Sequence, residues 1–163
     1  MVPSLALALL FLHPAKAQKP DTVRIFGAVA ESKEYSATEL MSAFADSAKP
    51  LTYTLKGKAG QATVIPLTAI VKAAKPVVDG KRKEPLVAFT LIARASDGYS
   101  AAFSLAEMLP EFGGHEVYVT PEVDPQYDSE SGIRFIVPDD KKPARWIHHV
   151  ISIELVNAGA TAP

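Results

Sequence analysis

Short apolar stretches separated by turn residues run through most of the chain, and they predict a protein rich in β-strands. Residues 51–55 alternate between apolar and polar side chains, as in a strand with one buried face. Residues 86–93 form a nearly continuous apolar run, which predicts a central strand buried on both faces. The other predicted strands are residues 23–29, 62–65, 99–103, 117–119 and 133–137, and a last strand within residues 146–155 that is centred on 151–155. Turns are predicted at residues 57–60 and at Asp97-Gly98.

Two capping-box motifs predict where helices begin. In each motif a serine can accept a hydrogen bond from a backbone N–H, and a glutamate three residues later can bond back. Ser36 and Glu39 predict a helix that runs to about residue 48 and is ended by Lys49-Pro50. Ser104 and Glu107 predict a short helix that ends at Pro110.

A further helix is predicted after Pro66, because proline suits the first turn of a helix. Its apolar stripe consists of Leu67, Ile70, Val71 and Ala74, and Pro76 ends it. Several strands with two or three short helices favour the α+β class, with strands dominating.

The first 17 residues have the features of a signal peptide. Residues 1–12 are almost wholly apolar but too short to span a bilayer as a helix, and Ala15-Lys16-Ala17 is a small-x-small cleavage pattern. We therefore expect a periplasmic or secreted protein, with a domain over residues 18–156 and a flexible tail over 157–163. The alternative is a disordered or buried apolar N-terminus. No segment after the signal has transmembrane length.

Composition narrows the function further. The chain of 163 residues has a formal net charge of −1, which argues against electrostatic attraction to nucleic acid. It contains no cysteine, which excludes a thiolate nucleophile, a zinc–thiolate site and an iron–sulfur cluster. No Gly-x-Ser-x-Gly motif indicates a serine hydrolase.

Three segments in the second half resemble a known family. Residues 97–107, with Asp-Gly-Tyr followed by Phe-Ser-Leu-Ala-Glu, residues 133–141 and residues 144–154 are similar to successive motifs of small exported members of the oxidoreductase molybdopterin-binding family, which share the sulfite-oxidase-type fold. The resemblance implies a mixed, curved, β-rich sheet with short peripheral helices. The expected fold class is therefore α+β of this type.

The same resemblance implies a cofactor, molybdopterin. In catalytic members a cysteine thiolate binds the molybdenum, and a soft thiolate suits that metal. This chain has no cysteine, so no residue can be assigned as the molybdenum ligand. We therefore expect no catalytic residue and no bound metal. Loss of the site does not argue against the fold, because sites can be lost from folds.

A basic set near the end of the chain could hold the phosphate of such a ligand. It comprises Arg134, Lys141, Lys142 and Arg145, beside Trp146. The alternative is that Arg134 points outward from its strand and the lysines are solvated. Asp97 and Tyr99 could line the mouth of the same pocket, or could serve only the turn.

The histidines are weak candidates for a metal site. His148 and His149 are adjacent in a predicted strand and should point to opposite faces, so a metal site with His115 is disfavoured. The acidic residues of the loop over 120–131 lack calcium-binding spacing and are expected to be solvated. The predicted pocket set is therefore Asp97, Tyr99, Arg134, Lys141, Arg145 and His148.

Three functions remain open. The first is a non-catalytic module that holds a small anionic ligand or a protein partner in the ancestral cofactor pocket. The second is a molybdopterin-dependent oxidoreductase whose metal is held only by the dithiolene of the cofactor. The third is an exported structural protein without a small-molecule site.

Overall fold

The computed structural model describes residues 22–121 and 132–159, which form an α+β fold with two sheets and short helices. The strands are β1 (Thr22–Gly27), β2 (Lys33–Ser36), β3 (Lys49–Leu55), β4 (Lys58–Pro66), β5 (Phe89–Ala95), β6 (Ser100–Ser104), β7 (Tyr118–Thr120), β8 (Arg134–Ile136) and β9 (Val150–Asn157). The α-helices are α1 (Ala37–Ala43), α2 (Leu67–Ala74) and α3 (Leu105–Met108), and 3-10 helices span Ala45–Ser47, Pro85–Ala88 and Pro143–Arg145.

The α+β class is confirmed, and the described strands are divided between two sheets. Sheet 1 has the order β2-β1-β9-β5-β6, so β9, the last of the described strands in sequence order, lies at its centre. β1 and β9 are parallel, whereas the other neighbours in this sheet are antiparallel, which makes it a mixed sheet. Sheet 2 has the order β3-β4-β7-β8 and is antiparallel throughout the described strands.

The hairpin between β3 and β4 corrects the turn predicted at residues 57–60. Leu55 pairs directly with Lys58, which leaves only Lys56 and Gly57 in the turn. Both residues have positive φ, 50° and 80°, as a tight two-residue hairpin turn requires. β4 consequently begins four residues before the strand predicted at 62–65.

Strand β5 also differs from its prediction. It begins at Phe89 because the preceding residues Pro85–Ala88 form a 3-10 helix. The prediction that both faces are buried is wrong, because Thr90, Ile92 and Arg94 are only half-buried. Arg94 instead forms an ion pair of 2.7 Å with Glu154 of the neighbouring β9. Strand β2 has no counterpart among the predicted strands.

The helix predictions are partly confirmed. Ser36 and Glu39 form both hydrogen bonds of the capping box, although α1 ends at Ala43 and a 3-10 helix continues to Ser47. The predicted cap at Ser104 is wrong: its side chain makes no capping bond, and α3 is a single turn. Helix α2 has the predicted stripe, with all four of its apolar residues buried.

One apolar core connects the two sheets and the helices. Its largest fully buried side chains include Tyr118, Phe89, Phe103 and Phe135, and the last two are in ring contact with centroids 5.5 Å apart. Trp146 lies at the edge of this core and donates a hydrogen bond of 2.8 Å from Nε1 to the carbonyl of Val137.

Three predicted segments lie wholly or mostly outside the described residues: the signal peptide, the acidic loop, of which residues 122–131 are not described, and the tail, of which residues 160–163 are not described. Strand β9 continues through Asn157, and the Gly159 carbonyl accepts a hydrogen bond of 2.7 Å from Arg82. In the part of the chain that the structure describes, no helix has the length and apolar character needed to cross a membrane.

Candidate functional site

A cavity of about 800 Å³ lies between α2, α3 and the segment leading into β7. Its walls are mainly aliphatic. The lining residues are Ser47, Pro66, Thr68, Ala69, Val71, Lys72, Pro76, Leu86, Leu105, Met108, Leu109, Pro110, Gly114, His115, Glu116, Val117 and Tyr118. Its volume lies within the range of about 300–1,000 Å³ that is typical of small-molecule sites.

The position of this cavity follows from two tertiary connections. The backbone N–H of Leu67, the first residue of α2, donates a hydrogen bond of 2.8 Å to the Val117 carbonyl. The backbone N–H of His115 donates to the Glu107 carbonyl of α3 at 2.9 Å. The segment from His115 to Val117 is therefore bonded to both helices and holds them apart on the two sides of the cavity.

Tyr118 supplies the most unusual polar group in the cavity wall. The residue is 1% exposed, and its hydroxyl makes no hydrogen bond of ordinary geometry with the described residues, although the Glu116 carboxylate and the Lys49 ammonium lie close enough to interact with it. Burial raises the pKa of this phenol, and the neighbouring Glu116 carboxylate raises it further. The group is therefore a neutral phenol at physiological pH and can donate one hydrogen bond.

Glu116 and Lys49 form an ion pair beside Tyr118. The Lys49 ammonium lies 2.9 Å from the Glu116 carboxylate and 4.9 Å from the centroid of the Tyr118 ring. Hydrogen bonding to Lys49 lowers the pKa of Glu116, and the same bond raises the pKa of Lys49. Each charge is thus compensated by the other.

A second, more polar cavity of about 460 Å³ lies on the other side of His115 and contains Arg145. Two nitrogens of the Arg145 guanidinium donate to the two carboxylate oxygens of Asp140, with Nε at 2.9 Å. The guanidinium also lies over the Phe103 ring, 5.2 Å from its centroid. This bidentate pairing compensates the arginine charge within the protein.

Two other predicted pocket residues organise a turn. The Asp97 carboxylate accepts a hydrogen bond of 2.8 Å from the Tyr99 backbone N–H, and the Tyr99 hydroxyl donates to the Ala144 carbonyl at 2.8 Å. Neither residue lines the two cavities described above. Both side chains have roles in the turn and its attachment to the segment before Trp146.

Arg134 and Lys141 do not line the cavity that contains Arg145. Arg134 lies in β8 and is 7% exposed, so the alternative in which it points outward is wrong. Lys141 is exposed, which agrees with a solvated lysine.

The two adjacent histidines are not in a strand. His148 and His149 lie in a bend before β9, which begins at Val150, and His149 has a positive φ of 50°. The expectation that they point to opposite faces of a strand is therefore wrong. Over residues 22–121 and 132–159, no group of three His, Cys, Asp or Glu side chains is placed to hold a metal ion.

These positions do not fit molybdopterin as the resemblance implies it. The chain offers no thiolate, Arg145 is paired with Asp140, and Arg134 and Lys141 do not line the cavity that contains Arg145. No step of a reaction can be derived through this cofactor, and its binding stays a prediction from the resemblance alone. No protein-family model matches the sequence, and no curated protein is significantly similar to it.

The sequence predictions missed the α2–α3 cavity. They placed residues 117–119 in a strand but gave no role to the tyrosine at its centre. A phenol between two valines was the available signal, because a tyrosine buried in a core strand normally needs a partner for its hydroxyl.

Proposed function

We propose that this protein is a non-catalytic binding protein that holds a small, mainly apolar molecule in the α2–α3 cavity. The observation that carries the proposal is a cavity of about 800 Å³ with mainly aliphatic walls and a few polar side chains, among them Thr68 and Lys72. Sites for small molecules combine apolar walls with a few polar groups that orient the ligand.

Tyr118 contributes to the wall of the cavity, but its hydroxyl is fully buried and is not accessible to a ligand there. The mainly aliphatic lining therefore specifies a ligand with an apolar body.

The polar groups in this cavity support binding better than catalysis. Tyr118 has a raised pKa, which makes it a poor general base, and Glu116 is engaged by Lys49. The proposal retains the non-catalytic module expected from the sequence but moves its ligand from the Arg134–Arg145 region to the cavity beside α2.

Family membership and location are parts of the same proposal. The coarse α+β class with a mixed sheet is compatible with a sulfite-oxidase-type relative that has lost its metal ligand. The apolar segment over residues 1–12 and the Ala15-Lys16-Ala17 pattern support export. N-terminal sequencing of protein recovered from the producing cells tests this part, since a mature chain beginning at Gln18 is expected and an intact Met1 would contradict export.

The binding proposal is tested with N-phenyl-1-naphthylamine, a neutral dye whose fluorescence rises in apolar sites. We expect saturable binding to the purified protein that Ala69→Phe abolishes, because Ala69 lines the cavity. Ala73→Phe is the matched control, since Ala73 lies one turn further along α2 and does not line it. Absence of saturable dye binding, or equal binding by both variants, would refute the proposed cavity.

The role of Tyr118 is tested by displacing the dye with decanol. Tyr118→Phe should leave decanol binding unchanged, because the hydroxyl is buried away from the cavity. Tyr35→Phe is the control, because Tyr35 packs against Phe44 and does not line the cavity. Weaker decanol binding by Tyr118→Phe, with Tyr35→Phe unchanged, would contradict this expectation and show that the hydroxyl contacts the ligand.

A further inference from the structure

We infer that the ligand of the α2–α3 cavity is an apolar carboxylate whose charged end is held by Thr68 and Lys72. This inference rests on the proposed function and adds the chemical class of the ligand. Its basis is a pair of polar side chains on α2 that both line the cavity and have no bonding partner among the described residues.

Thr68 and Lys72 are four residues apart on α2, so their side chains occupy the same face of the helix, one turn apart. Both line the cavity, together with Ala69 and Val71 of the same helix. The helix thus contributes an apolar strip to the wall and a hydroxyl and an ammonium to its polar edge.

Neither polar group is engaged within the described part of the protein. No ion pair involves Lys72, and no side-chain hydrogen bond involves Thr68. Lys72 is exposed and Thr68 is half-buried, which places the pair where the cavity meets solvent. A carboxylate has two acceptor oxygens and could take one bond from each group.

The charge balance around the cavity also favours an anion. Glu116 is the carboxylate among the lining residues, and Lys49 neutralises it at 2.9 Å. His115 lies 3.6 Å from Asp139, which lines the second cavity and not this one. Lys72 is therefore the lining charge without a counter-ion among the described residues.

Helix polarity gives Lys72 a second, independent role. A cation in the last turn of a helix interacts favourably with the partial negative charge there. Such a role predicts an effect of Lys72 on stability and none on ligand choice. The experiment must therefore measure the two quantities separately.

The test compares decanoate with decanol as competitors of bound N-phenyl-1-naphthylamine. Lys72→Gln and Thr68→Val should each weaken decanoate binding about two- to fivefold, the range expected for one exposed charged contact, and should leave decanol unchanged. The same loss should follow when wild-type protein is measured at high salt, because salt screens exposed charges. Lys75→Gln is the control: Lys75 follows the same helix end, pairs with Glu31 and does not line the cavity.

The outcomes separate the two proposals. If the dye and decanol bind but decanoate is unaffected by Lys72→Gln, the carboxylate inference is overturned and the proposed function stands. A Lys72→Gln variant that unfolds at lower temperature while keeping its decanoate affinity also overturns it, in favour of the helix-end role. If wild-type protein binds neither the dye nor either competitor, both proposals fail.

Discussion

Gly27 is the last residue of β1 and lies against the backbone of β9. Replacing it with alanine should destabilise the fold by more than the cost of its positive φ alone. Its φ is +98°, a region that side-chain-bearing residues rarely adopt. An alanine Cβ at this position would lie 2.3 Å from the carbonyl oxygen of Leu155. That oxygen also accepts a hydrogen bond of 2.8 Å from the Ala28 backbone N–H, so it is held in place.

The expected loss in the free energy of unfolding for Gly27→Ala has two parts. Placing a residue with a Cβ in left-handed backbone costs about 1–2 kcal/mol. Forcing extra volume into a packed position costs about 1–3 kcal/mol more. Gly27→Ala should therefore lower the free energy of unfolding by about 2–5 kcal/mol. Gly57→Ala isolates the first part, because Gly57 has a φ of +80° but no atom within 4 Å of the added Cβ.

Urea unfolding followed by circular dichroism measures both variants. The midpoint should fall further for Gly27→Ala than for Gly57→Ala, with the dependence on urea concentration unchanged. Equal losses in the two variants would refute the close approach of β1 and β9 at Gly27 and leave only the conformational cost.

Two further predictions concern side chains with defined partners. Ser36→Ala should lower the free energy of unfolding by about 1 kcal/mol, because it removes a helix cap, whereas Ser104→Ala should change it by less than about 0.5 kcal/mol; urea midpoints that do not differ would contradict this. Lys49 lowers the pKa of Glu116, so their pairing stabilises the protein above the ordinary value of 4.5 and is lost as the pH falls through the lowered pKa. The stability advantage of wild type over Glu116→Gln should accordingly be present at neutral pH and disappear in acid, and an advantage that persists there would refute the pairing.

Local signals predicted the elements that depend on local interactions. The capping box at Ser36 was correct because all its atoms lie within one helical turn. Helix α2 was correct because Pro66 and an apolar stripe determine it locally. The same motif failed at Ser104, which is the last residue of β6 and is paired with Thr90 across the sheet. At Ser104 the pairing between β5 and β6 determines the backbone conformation, and the local capping motif does not.

The candidate site depended on contacts that the sequence does not display. Arg145 was a candidate because of its charge, but its pairing with Asp140 depends on how the turn after Pro138 folds back. Tyr118 became a candidate only because α2 and β7 meet at the hydrogen bond between Leu67 and Val117, 50 residues apart in sequence. Patterns of hydrophobicity predict which face of an element is buried and not which elements enclose a space.

The order of strands in sheet 1 has a consequence for how the chain acquires its structure. β9 lies between β1 and β5, so neither of these strands has its inner neighbour until residues 150–157 have been synthesised. Before that point sheet 1 consists of two separate hairpins, β1–β2 and β5–β6, and isolated hairpins are marginally stable in water. A growing chain therefore remains largely unfolded in this sheet until β9 is available. The same topology makes β9 the closing element of the fold: a truncation before Val150 removes the one strand that joins the two hairpins.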